Sequence, residues 1–473
     1  MKQITITLSC MTAITLSGCQ LAPQQQTIEL PVPDTYTQSS LSENTQSSAA
    51  ELPWQQFFAN NKLIQLIQQS LEHNKDMQIA ALNVQRVRAL YQIEDSGLYP
   101  ELALNAAGSR QRLPADLSGS GNVQINQQYS ATVGITSYEL DLWSKVSNQS
   151  EQALQQLFST EQAQRSSQIS LVAELANAWL AYAADQQLLA LAKDTLHSQR
   201  QSLSLIEQSY NLGAASALTL QQLKSTVASA KIDVARYNRV LQRDKNALDL
   251  LVGMPVSADL LPDQPIETLL NLPEVPVGLP SDLLQQRPDI KAAEHDLLGA
   301  NANIGIAKAA YFPSISLTAN AGTASSELDN LFKGGSGSWS LMPSIYLPIF
   351  NMGRTQANVD VANAQQQMAL ASYQQKIQQA FREVSDSLAD RQGYVNQLLA
   401  QHELVDSNQQ SFYLSEQRFK QGADSFLQVL DAQRNSYTAQ QQLINGQKLV
   451  LASKISLYKV LGGGWQNSIN PAE

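Results

Sequence analysis

Cysteine is almost missing from this chain: Cys10 and Cys19 are the only two, and both lie at the N-terminus. With a signal removed ahead of Cys19, one cysteine remains, and no internal disulfide can form even in an oxidising compartment. Long apolar runs are missing too. After Cys19 no stretch approaches eighteen apolar residues, which excludes a transmembrane helix. A membrane crossing would then require strands closed into a barrel. Charge is sparse at 15% and the formal balance is −10, which argues against a nucleic-acid partner. The four histidines, His73, His197, His295 and His402, are scattered, and none has a ligand three or four residues away to complete a metal set. Glu294, His295 and Asp296 are adjacent and so point to different faces of a helix. No Gly-x-x-x-x-Gly-Lys-Ser/Thr run, no Gly-x-Ser-x-Gly and no Ser-x-x-Lys with partners occurs. Gly334–Gly337 reads as a loop. Neither an enzyme nor a cofactor is expected.

What is present begins with a signal. Lys2 supplies a positive start, Ile4 to Leu16 a short apolar run, and Leu16–Cys19 the Leu-Ser-Gly-Cys sequence of a lipobox. Cys19 is expected to become the acylated first residue, its lipid the one covalent addition. Gln20 after it is compatible with export to the outer membrane. Residues 20 to about 52 carry Pro23, Pro31 and Pro33 among many Gln, Ser and Thr, a composition suited to an extended tether.

The rest of the chain is written twice. Asn74–Ala81 aligns with Arg287–Glu294, and both continue as helix-like sequence to an aromatic-proline pair, Tyr99-Pro100 and Phe312-Pro313. Alternating stretches follow at Glu101–Gly108 and Ser314–Gly322. Gln208–Ser216 then matches Gln417–Ser425, and the halves stay in register to Leu248–Gly253 and Leu457–Gly462. The unit is helix, two strands, very long helix, turn, long helix. The expected division is a signal at 1–18, a tether at 19–52, repeats at 53–253 and 281–462, a linker and collar at 254–280, and a tail at 463–473.

From Lys145 to Leu212 there is neither glycine nor proline, and Leu171, Leu175, Ala178, Trp179 and Tyr182 recur at helical spacing. One helix over that stretch would be about 100 Å long. Arg354 to Gln421 matches it, with Gly393 its one weak point. Helices of that size belong to coiled-coil packing rather than globular cores. Gly213 and Gly422 mark αα-hairpin turns, after which helices of about forty residues return. Four strands are expected, at about 101–113, 128–142, 314–325 and 338–350. In the second, Tyr129, Ala131, Val133, Ile135 and Ser137 share a face. In the fourth, Trp339, Leu341, Pro343, Ile345 and Leu347 do so. Trp143 reads as an interfacial aromatic. Four strands cannot close a barrel, and open edges in lipid cost several kcal/mol per unpaired group, so the protein must oligomerise.

The stretch Leu283–Ile290, then Ala309–Gly322, Gly337–Ser340, Leu347–Phe350, Leu430–Arg434, Gln440–Leu443 and Leu457–Trp465, resembles the TolC/OprM outer-membrane factors, in their lipid-anchored, OprM-like (NodT-type) branch. The resemblance covers essentially the whole mature chain. It implies an α+β membrane protein. Four strands from each of three copies would give a twelve-stranded β-barrel. Long helices would form a periplasmic α-barrel, and residues 52–62, 254–282 and the C-terminal tail an equatorial collar. Ser281, Asp282 and Pro288 read independently as a helix start.

The same resemblance places constriction rings at Leu427 and Asp431, four apart on one helix face with Arg434 a turn further. Three copies of Asp431 around an axis would repel one another and attract cations. Three copies of Leu427 would make an apolar plug. Gln428 stands where TolC has a second aspartate, so a two-layer acidic ring is not expected. The alternative for Asp431 and Arg434 is an ordinary solvated helical pair. Opening would follow docking of a periplasmic adaptor protein on the turns near Gly213 and Gly422, with energy from an inner-membrane, RND-type pump. The expected role is the exit duct of a tripartite efflux pump. The alternatives are the duct of a type I secretion system, and a non-channel coiled-coil envelope lipoprotein.

Overall fold

The computed structural model describes residues 20–23, 52–275, 284 and 286–465. The expected signal, Cys19, most of the tether, Ser281, Asp282 and the tail beyond Trp465 lie outside the described residues. In chain order come α1 (Trp54–Phe58), α2 (Asn61–His73), α3 (Lys75–Ser96), β1 (Leu102–Leu113), β2 (Gln124–Glu139), α4 (Lys145–Asn211), α5 (Ala217–Val252) and α6 (Ile266–Leu269). The second half follows with α7 (Pro288–Ala309), β3 (Ser314–Ser325), β4 (Gly337–Tyr346), α8 (Arg354–Lys420) and α9 (Phe426–Val460). The two long helices have 67 residues each, and Gly393 does not interrupt the second. The return helices have 36 and 35 residues, near the expected length of about forty, and Gly253 and Leu461 close them.

The described residues pack as two compact units, each drawn from both repeats. The first comprises 20–23, 84–160 and 292–374. Its antiparallel sheet has the order β1-β2-β3-β4, so β1 and β4 are edges. The register explains why the sequence alternates. Leu104 lies opposite Val133, Val133 opposite Ala321, and Ala321 opposite Trp339. One face therefore gathers Leu102, Leu104, Ala131, Val133, Ala319, Leu341 and Ile345. The other gathers Asn105, Ser130, Thr132, Asn320, Ser340 and Ser344. One face is fit for hydrocarbon and the other for water.

Four strand expectations change. The second strand ends at Glu139, short of 142. The second strand begins at Gln124, because the hairpin carries its pairing on, residue by residue, to Leu113. Ser137 leaves the shared face: a bulge between Ile135 and Tyr138 holds it at φ 56°, turning the strand by one residue. The fourth strand stops at Tyr346, short of Leu347 and Pro348. Pro343 stays inside it, opposite Leu317, because β4 is an edge and one side of its ladder is open. At the end of β2, Trp143 stacks on Phe312 at 4.7 Å and its ring N–H donates to the Pro313 carbonyl at 2.8 Å. Asp141 then caps α4, accepting from the amides of Val146 and Ser147 at 2.9 and 2.8 Å.

The second unit comprises 52–83, 161–275, 284, 286–291 and 375–465. Trp54, Phe57 and Phe58 of α1 are buried, with Phe57 stacked on Tyr458 of α9 at 4.0 Å. Asn60 caps α2 and donates to the Leu269 carbonyl at 3.1 Å. Trp179 of α4, fully buried, donates to the Leu260 carbonyl at 3.0 Å. Residues 52–60 and 256–272 thus lie on the long helices through apolar side chains and backbone carbonyls. No helix of the described residues is long and apolar enough to cross a membrane.

Candidate functional site

The two hairpin turns are built alike. Gly213 and Gly422 adopt φ of 77° and 74°, a left-handed conformation that glycine takes without strain. Each donates three residues back, to Tyr210 and Phe419, and the next amide donates five back, from Ala214 to Ser209 and from Ala423 to Arg418. These are helix-closing patterns that satisfy the last carbonyls. Neither glycine has an atom near the place of a Cβ, so both turns present open backbone. Across the second turn Arg418 grips Asp424 through two hydrogen bonds of 2.6 and 2.9 Å. Those bonds hold the Asp424 carboxyl below its ordinary range. Phe419 meets Phe426 edge to face at 5.0 Å.

The first turns of α9 sort by depth. Val429 and Leu430 are buried, and Leu430 packs with Ile206 and Leu223. Leu427, four residues before Asp431, is 47% exposed. Arg434 donates to Asp431 at 2.8 Å, so the helical pair weighed against a ring does form within one chain. Both partners are solvent-facing, and such a pair contributes a few tenths of a kcal/mol. Leu427, Asp431 and Arg434 share a cleft of about 300 Å³ with Thr195, Asp233 and Tyr437.

That cleft carries residues the sequence reading passed over. Tyr437 donates to Asp233 at 3.1 Å, tying α9 to α5. Burial, with Asp233 beside it, pushes the Tyr437 phenol well above its ordinary value, so it remains a donor at any physiological pH. Arg236 also pairs with Asp233 at 3.0 Å and lies over the Tyr237 ring at 4.7 Å. Gln441 donates to the Tyr237 hydroxyl at 3.1 Å. Asp233 and Tyr237 are four apart on α5, as are Tyr437 and Gln441 on α9. That matched spacing was the available signal.

A second cluster gives Arg287, Pro288 and Asp289 more than a helix start. Arg287 is 8% exposed and holds Asp289 with two bonds of 3.0 and 2.7 Å. It also reaches Glu383 of α8 at 2.8 Å and the Val460 carbonyl of α9 at 3.0 Å. Burial alone would raise the Asp289 carboxyl, but the Arg287 bonds and charge outweigh it and hold it below its usual range. Among the described residues no group of His, Cys, Asp and Glu could hold a metal ion.

The comparisons with known proteins meet this geometry. The family model described as outer membrane efflux protein matches residues 66–254 and 279–463. The chain belongs to that family. The toluene efflux pump outer membrane protein TtgC and the antibiotic efflux pump outer membrane protein ArpC, both of Pseudomonas putida, are each 47% identical over 466 residues. Both alignments cover 98% of this chain and 96% of the relative. A crystal structure of a membrane protein from Pseudomonas aeruginosa superposes with a TM-score of 0.89 at 37% identity, covering 94% of this chain and all of that one. The fold is that of the trimeric outer-membrane efflux channels, to which each protomer brings four strands and its long helices. Members of the outer membrane efflux protein family are channel and transport proteins of the outer membrane, and this chain is one of them.

Proposed function

We propose that this chain is the exit duct of a tripartite efflux pump for drugs and other small toxic compounds, acylated at Cys19 and assembled from three copies. The observation that carries the reading is the sheet: one face apolar, one face polar, and two edges that no strand among the described residues pairs and that further copies would close. The duct is a passive conduit. Relatives equally similar to it are named for toluene and for antibiotics, which fits a cargo chosen by the inner-membrane partner, an RND-type pump.

The gate lies at the start of α9. Leu427 is half-exposed within one chain, and a three-fold axis would give it apolar neighbours. Asp431 follows one turn later, so the same axis would stack an acidic ring beside an apolar one. A periplasmic adaptor would engage the turns at Gly213 and Gly422, whose backbone is open. Opening then separates the start of α9 from its neighbours. Single-channel conductance tests the gate: Leu427→Ala with Asp431→Ala raises it and weakens its cation preference. Unchanged conductance in the double variant would discard these two residues as the constriction. Deletion of the gene tests the assignment. Loss of resistance to toxic compounds fits efflux, whereas loss of a secreted protein with resistance intact would move the duct to a type I secretion system.

A further inference from the structure

The two repeats treat one place differently. With Asn74 set against Arg287 and Gly213 against Gly422, Asp76 corresponds to Asp289, Glu174 to Glu383 and Leu251 to Val460. The structure keeps this correspondence. Gly253 and Gly462, at φ of 81° and 85°, lie against the carbonyls of His73 and Gln286, the residues just before Asn74 and Arg287. The Asn74 side-chain amide donates to the Leu251 carbonyl at 2.9 Å, as the Arg287 guanidinium does to the Val460 carbonyl at 3.0 Å. In the second repeat that guanidinium runs on to Asp289 and Glu383. In the first, Asn74 is buried and too short to go further, and Asp76 and Glu174 line a cleft of about 830 Å³. Neither carboxylate has an ion-pair partner among the described residues. The other charges of the cleft are engaged: Lys75 donates to Gln78 at 3.1 Å, and Asp249 pairs with Lys245 at 2.9 Å.

We propose that this cleft is a socket for an arginine side chain presented by a partner protein, with Asp76 and Glu174 as its carboxylates. Two acidic groups sharing a cleft are no site by themselves. Here their counterparts grip a guanidinium in the same chain, so the arrangement is one that already holds that group. Arginine suits it better than lysine, because a planar fork can serve two carboxylates at once. The cleft is larger than a lone guanidinium fills, and Leu250, 77% exposed, and Met254 give it an apolar wall. A polypeptide side chain with its neighbours fits that description better than a free cation does. The inference borrows only the periplasmic setting from the duct reading; the socket itself comes from the repeat.

The test uses the full-length protein in mild detergent at low salt, where charge recognition is least screened. The probe is arginine blocked at both ends, with blocked citrulline as its neutral isostere, each titrated by calorimetry. Blocked arginine is expected to bind at least about tenfold more tightly than blocked citrulline. Asp76→Asn with Glu174→Gln should abolish that preference. Asn74→Arg places in the first repeat the residue that the second carries there, and should abolish it by filling the socket from within. Adding Asp76→Asn and Glu174→Gln should then lower the thermal midpoint of Asn74→Arg but not that of the wild type, which has no guanidinium there to lose. If Asn74→Arg fails to assemble by native mass, the two carboxylate substitutions carry the case. Equal binding of the two probes by the wild type would overturn the socket, as would a preference that survives the carboxylate substitutions. Loss of the three-chain mass in that same variant would overturn the partner, by showing that a second copy of this chain already fills the cleft. Every arm reads binding or assembly directly, so the result stands apart from whether the duct serves efflux.

Discussion

At the scale of single residues the molecule depends on charges it has taken out of water. Arg287 is the clearest case, because its guanidinium serves Asp289, Glu383 and a helix-end carbonyl while almost wholly buried. Removing one partner from a buried pair leaves the other uncompensated. Arg287→Met should therefore cost about 3–5 kcal/mol, read as a fall in the midpoint of denaturant unfolding in detergent. Arg287→Lys should recover part of that, since one ammonium cannot make both bonds to Asp289. The sign with pH follows from Asp289. Its carboxyl is held low in the folded state, so its contribution is complete above the ordinary carboxylate pKa and is lost as pH falls through the depressed value. In Arg287→Met that depression goes, and with it this carboxyl's share of the stability lost on acidification. A variant that unfolds at the wild-type midpoint would reduce the cluster to a helix start. Proline and aspartate announced that start in the sequence. The partners could not be read there, because Val460 is 173 residues away.

At the scale of elements, legibility followed composition. The 67-residue helices were plain because nothing over their length could break them, and the paired turns because glycine alone punctuates them. Strand ends were less plain. Polar residues such as Gln124 and Gln127 pair because their hairpin partners are in register, which alternation of apolar residues does not reveal. Leu427 and Asp431 stood out in the sequence only through family likeness, whereas the Tyr437–Asp233 tie required two helices to be seen together across 204 residues. Helix pairing also creates an acid pair. Asp244 of α5 faces Asp185 of α4, with Lys448 of α9 and Arg243 nearby. Burial first, then the hydrogen bond and charge of Asp185, push Asp244 up to about 6. An acid raised on folding binds its proton more tightly folded than unfolded. Stability should then decline as pH rises from about 4 to about 6. Asp244→Asn should flatten that decline and raise stability at pH 7 by about 1 kcal/mol, a figure discounted for partial exposure. Thermal melts at intervals from pH 4 to 7 would show it, and parallel curves for the two proteins would mean that the carboxylates are solvated and independent.

At the scale of the whole molecule the decisive fact is a deficit. β1 and β4 are edges of 12 and 10 residues with no further partner strand among the described residues. Roughly half the backbone groups of an edge strand point away from its neighbour, and each one unpaired in hydrocarbon costs several kcal/mol. Tens of kcal/mol exceed what a domain of ordinary stability can absorb, so a lone protomer cannot keep this sheet in a bilayer. Assembly and sheet formation must therefore be one event rather than two. Native mass in mild detergent should report three chains. On heating, the β-sheet infrared band and the trimer should disappear in a single transition whose midpoint does not depend on which is followed. The long helices need not share that midpoint, because their carbonyls are satisfied within each chain. A monomer that retained the sheet band would mean that β1 and β4 find partners without a second copy. The barrel would then have to be sought in some other pairing of these four strands.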